Sequence, residues 1–147
     1  MNHDIPLHDL LGFEFGDPEP DSSVAEVHMP VRPEAFGFTA NLHGGAIATL
    51  VDLSCALAAA RATNFDPTTE SLVTSDMHIR YLGRPRTDRV TARSEIVRLG
   101  SQLIVIDCRV VDADDHLVAT ADFSMMRVPL RRPLEPHAAV EPGGPEL

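Results

Sequence analysis

The chain has no lysine and no tryptophan among its 147 residues, and it has a single tyrosine. Without lysine there is no Schiff-base amine, no phosphate-binding lysine of a nucleotide loop and no lysine general base. The 12 basic residues are all arginines, set against 22 acidic ones for a net charge of -10. A field of that sign repels phosphate backbones and anionic lipid, which excludes general nucleic-acid and membrane-surface binding. Aromatic residues make up only 5%, too few for a base-stacking platform. Cysteine is scarce as well: Cys55 and Cys108 lie in separate apolar runs and read as buried free thiols of a reducing compartment. Met1 to Asp4 show no basic region followed by an apolar stretch, so the expected location is the cytoplasm. The best candidate for a membrane span, Ala46 to Ala60, contains Asp52 and falls short of the roughly 20 residues required.

What is present fits one globular domain, since 44% of residues are hydrophobic and 23% charged. The expected domain covers residues 1–128. Residues 129–147 carry five prolines and Gly143-Gly144, and read as a flexible tail. Leu10 to Phe15 and Val24 to Met29 have the look of short strands, broken by Asp17-Pro18-Glu19-Pro20. Ala46 to Ala60, rich in Ala and Leu and free of Gly and Pro, is a helix. From Leu72 the period becomes two, with Val73, Ser75, Met77, Ile79 and Tyr81 on one face and Leu72, Thr74, Asp76, His78 and Arg80 on the other. Three further extended runs, near residues 89–98, 102–111 and 117–128, are joined by turns and complete a four-strand antiparallel meander.

Within the helix only Thr49, Asp52 and Ser54 are polar, so it should be buried and wrapped by the sheet. An ionised carboxylate there costs several kcal/mol unless it is paired or faces a cavity. Asp52 therefore asks for a reason, and a polar stripe of Thr49 and Asp52 lining an active-site pocket supplies one. Asn41-Leu42-His43-Gly44-Gly45 precedes the helix. Two glycines where the backbone turns into a helix leave N–H groups at the positive end of the dipole, where a carbonyl oxygen turning negative can be held.

The combination of Asn41-x-His43-Gly44-Gly45, the run Ala46 to Asp52, and Val73 to Leu82 resembles the hotdog-fold acyl-CoA thioesterases, in particular the phenylacetate-degradation (PaaI-like) group. The resemblance covers about residues 10 to 128. It implies an α+β hotdog fold, an antiparallel β-sheet wrapped around one long central helix. It also implies hydrolysis of acyl-CoA or aryl-CoA thioesters with no metal and no cofactor beyond the coenzyme A of the substrate. By that resemblance the Gly44 amide, with His43 beside it, polarises the thioester carbonyl. Asp52 acts as general base or as nucleophile, and Thr74, or the adjacent Ser75, orients the water. Asn41 is a further candidate for the carbonyl, although some members carry the amide side chain several residues earlier, where Gly37 stands in this chain.

Spacing adds an expectation of its own. Gly44 and Asp52 are separated by roughly 12 Å along one helix, too far to serve one reacting carbon. Two antiparallel helices from two protomers bring them together, which predicts a homodimer and, by the resemblance, a homotetramer. Arg80, Arg84, Arg86 and Arg89 cluster in an otherwise acidic chain, and Arg80, Arg84 and Arg86, with Gly45, are the candidates for holding coenzyme A. No HExxH, paired-Cys or aspartate-rich loop is present, so no metal is expected. The rival readings are a hydratase or dehydratase of the same fold and an acyl-CoA-binding module without catalysis.

Overall fold

The computed structural model describes residues 5–17 and 23–131; the expectation for the tail from residue 132 onward lies outside them. The chain opens with helix α1 (Pro6–Leu11) and strands β1 (Glu14–Phe15) and β2 (Val24–Pro30), followed by a short 3-10 turn at Pro33–Ala35. Helix α2 (Gly44–Thr63) comes next, then the strands β3 (Glu70–Tyr81), β4 (Arg89–Leu99), β5 (Leu103–Asp112) and β6 (Leu117–Pro129). Of the stretch Leu10 to Phe15 read as a strand, Leu10 and Leu11 instead end α1, and Glu14–Phe15 are extended, as β1. The signals for that helix were available: Pro6 fits its first turn, and Gly12 closes it in the left-handed conformation at φ 69°.

All six strands form one antiparallel sheet in the order β1-β2-β4-β5-β6-β3. Only β4, β5 and β6 make a meander. β3 pairs with β6, from Glu70 opposite Pro129 to Tyr81 opposite Ala119, and not with β4. The connection of residues 82–88 contains Pro85 and is too long for a tight turn, so it carries the chain from one edge of the sheet to β4 in its interior. The sheet curls around α2, whose buried face consists of Ala46, Ile47, Leu50, Val51, Ser54, Cys55, Ala58 and Ala59. They meet Val27, Met29, Val90, Ala92, Ile104, Ile106 and Phe123 from the strands. Each fully buried Leu, Ile or Val in this layer contributes roughly 1.5–3 kcal/mol.

The wrap is one-sided. Ala48, Thr49, Asp52, Leu53, Ala56 and Leu57 on the opposite face of α2 are only half-buried. α2 has 20 residues, the length of a membrane span, so the shortness expected from 15 residues does not hold. Its packed face identifies it as the core helix. Ser54, wholly buried, donates to the Ala92 carbonyl at 3.1 Å and accepts from the Ser94 hydroxyl at 2.8 Å, pinning α2 to β4. Cys55 and Cys108 are free and buried beside this pair. Contact with Cys108, and then burial, push the Cys55 thiol far above its ordinary range, so it is no nucleophile.

Candidate active site

Asp52 sits on the half-buried face of α2, two turns into the helix, and β3 passes beside it. The Thr74 hydroxyl donates to Asp52 Oδ1 at 2.8 Å. Among the described residues nothing bonds the second carboxylate oxygen. A β-bulge between Thr74 and Asp76 sets this contact. Thr74 lies opposite the buried Met125, and after the bulge Met77, Ile79 and Tyr81 lie opposite Phe123, Ala121 and Ala119, three β6 residues buried in the core around the helix. The helix-facing set is therefore Leu72, Thr74, Met77, Ile79 and Tyr81. The strict alternation expected from sequence, with Val73 and Ser75 alongside Met77, is corrected at Ser75: one extra residue in a strand exchanges the two faces.

The helix N-terminus is organised by His43, whose backbone at φ -64° and ψ 133° is that of an N-cap and whose Nδ1 accepts from Gly45 N–H at 2.8 Å. Among the described residues no acceptor meets the Gly44 N–H. Neither glycine has a left-handed backbone; Gly12 is the described glycine with positive φ. A sharp turn is thus not what calls for glycine here. At Gly45 a Cβ would stand 3.0 Å from His43 Nδ1, so the missing side chain admits the ring. At Gly44 a Cβ would meet the Tyr81 ring at 3.4–3.6 Å, an ordinary contact, and its absence leaves the N–H unscreened.

The other predicted residues are placed as follows. Asn41 is half-buried, and its carbonyl accepts from Gly37 N–H at 2.8 Å in the loop bridged by Phe36 and Leu42. Thr49 does share the half-buried face with Asp52, but its hydroxyl donates to the Gly45 carbonyl at 2.8 Å. The Gly45 N–H is taken by His43. Arg80 points to the outer face of the sheet, 3.8 Å from Asp122, away from Thr74 and Tyr81. Arg84 and Arg86 are exposed in the connection that follows Tyr81, and Arg86 lends its backbone N–H to Asp112 at 2.8 Å. The structure thus brings Asp52 and Thr74 together, and Gly44, Gly45 and His43 together, while Arg80 parts from both groups. Among the described residues no three His, Cys, Asp or Glu side chains converge on a possible metal position.

A one-helix hotdog sheet with a carboxylate on α2 and a Gly-Gly entry matches a known family in sequence as well. The profile of the Thioesterase superfamily matches residues 39–119, more than half of the chain, from the loop ahead of α2 to β6. The chain belongs to the thioesterase superfamily. It is a thioester hydrolase with the hotdog fold. Solved structures agree with it in fold. A point mutant of a thioesterase from Pseudomonas aeruginosa is 27% identical with a TM-score of 0.77, covering 84% of this chain and 86% of its own. A thioesterase from Haemophilus influenzae is 22% identical with a TM-score of 0.75, covering 85% and 84%. The PaaI protein from the phenylacetic acid degradation operon of Escherichia coli is 22% identical with a TM-score of 0.72, covering 85% and 86%. No match was found among curated protein sequences.

One residue at this thioesterase's site escaped the sequence reading. Tyr81 donates to the Gly44 carbonyl at 3.2 Å, and its ring flanks the side of Gly44 on which a Cβ would stand. A lone tyrosine at the end of a strand gave no warning of this, because β3 lies far from the helix entry in sequence.

Proposed function

We propose that this thioesterase cleaves acyl- or aryl-coenzyme A thioesters at sites shared between two copies of the chain. Asp52 of one protomer takes a proton from water, whose oxygen attacks the thioester carbon. The Gly44 N–H of the other protomer, at the positive end of its helix, holds the carbonyl oxygen as it gains charge. The C–S bond then breaks, and the coenzyme A thiolate leaves and takes up a proton. The observation that carries this reading is the state of Asp52: one oxygen fixed by Thr74, the other without a partner among the described residues, on a helix face its own sheet leaves half-covered.

The same features support pairing of two copies. β3 is an edge strand of 12 residues, and Met77 and Tyr81 on its inner face are 36% and 54% exposed. A long unpaired edge of this kind is a template for another strand, and a second β3 would close it while covering the open face of α2. The phosphates of coenzyme A are assigned to the exposed Arg84 and Arg86, since Arg80 is turned toward Asp122.

The test is complementation. Asp52→Asn and Gly44→Val variants, each inactive alone on a panel of aromatic, short-chain and long-chain coenzyme A thioesters, are mixed under conditions that exchange protomers. A mixed dimer contains one intact site, so about a quarter of wild-type thiol release should return. No recovery on verified subunit exchange, or a fully active monomer in the ultracentrifuge, would overturn the shared site.

A further inference from the structure

We propose that Tyr81 is a positioning residue that acts on His43 through the peptide group joining Gly44 and Gly45. The Tyr81 hydroxyl donates to the oxygen of that peptide at 3.2 Å, and the N–H of the same peptide donates to His43 Nδ1 at 2.8 Å. Hydrogen bonds in series polarise one another. A donor at the carbonyl oxygen draws charge from the amide nitrogen, so the N–H becomes a better donor to the imidazole. Three groups from two distant segments are thereby locked into one chain, running from the end of β3 across the first turn of α2 to the N-cap.

The consequence falls on the proton of His43. With Nδ1 accepting, the neutral ring must carry its proton on Nε2, on the side away from the helix. His43 is exposed, so no burial holds the ring. Its tautomer and orientation depend on this one bond, and on Gly45 having no Cβ to push it aside. The Tyr81 ring also stands where a Gly44 side chain would meet it at 3.4–3.5 Å, so the helix entry and the end of β3 lie side by side. Placed next to the open Gly44 N–H, an Nε2–H of fixed direction is a second donor for the carbonyl oxygen. That last step rests on the proposed reaction; the relay from Tyr81 to His43 does not.

The experiment uses the full chain labelled with 15N-histidine, with the seven histidines resolved by a His43→Gln control. Long-range 1H–15N spectra of the wild type should show the neutral His43 protonated on Nε2. In Tyr81→Phe, which keeps the ring and removes the hydroxyl, the two tautomers should mix. On the best coenzyme A thioester, kcat should fall roughly two- to fivefold, the size of one long neutral hydrogen bond, with KM held within about twofold. Gly45→Ala should remove the Nε2–H signature while leaving Tyr81 in place. A wild-type His43 protonated on Nδ1, or a Tyr81→Phe spectrum identical to wild type, overturns the relay. A shifted tautomer with unchanged kcat overturns its part in catalysis. A wild type that cleaves no coenzyme A thioester defeats the proposed reaction, and the tautomer spectra then decide the relay by themselves.

Discussion

Two aspartates at different places in the sheet-and-helix layer are held in opposite ways. Asp112, at the β5–β6 turn, is 3% exposed and accepts from the backbone N–H groups of Arg86, Asp114 and His116 at 2.8–3.0 Å. Asp52 is half-buried and accepts from one hydroxyl. Burial works to raise the pKa of Asp112, but the three N–H donors, together with His116, hold it below the usual carboxylate range. A carboxylate whose lone pairs are filled by backbone ties strands together and has nothing left to offer a substrate. One held at a single oxygen is aimed but still reactive. The contrast separates a fold residue from a chemistry residue of the same type.

Substitution should break the contrast in predictable directions. Asp52→Asn should lower kcat roughly a hundredfold to ten-thousandfold, the usual worth of a general base, with the melting temperature unchanged. An Asp52→Asn protein that unfolds, or that keeps its activity, would place Asp52 with Asp112 instead. Asp112→Ala should do the reverse, lowering the melting temperature by several degrees and leaving kcat per folded molecule intact. Because the folded pKa of Asp112 lies below the unfolded value of roughly 3.9, its stabilisation is complete above that pH and is lost as pH falls through the folded value. Acid titration of the unfolding midpoint should show that loss in the wild type and a smaller one in Asp112→Ala. The smallest effect belongs to the hydroxyl: Thr74→Val should reduce kcat about tenfold, while Ser75→Ala at the bulge should match wild type in the same assay.

Much of this was legible in the sequence because it depends on local chemistry. An Ala- and Leu-rich run can only be a core helix, and a lone Asp within it had to have a partner or a purpose. The His-Gly-Gly entry could be read for the same reason. What could not be read depends on contacts between distant segments. The bulge at Ser75 is a property of β3 against β6, invisible while β3 is assumed to lie beside β4. Tyr81 reaches Gly44 only because β3 runs antiparallel to α2, so the end of one meets the start of the other. Asp112 looked like an ordinary turn residue, since its donors Arg86 and His116 belong to two different connections.

The placement of β3 also bears on the order in which the molecule assembles. The hairpins β4–β5 and β5–β6 close over short turns, whereas β3 must wait for β6, the last strand in the chain, before it has anything to pair with. Closing that loop, from Tyr81 to Ala119, costs more entropy than closing either hairpin. Destabilising substitutions in β3 should therefore speed unfolding more than they slow refolding, as read from the two arms of a chevron plot. Since β3 brings both Thr74 to Asp52 and Tyr81 to Gly44, catalytic competence waits on the last strand of the chain and is given up when that edge frays.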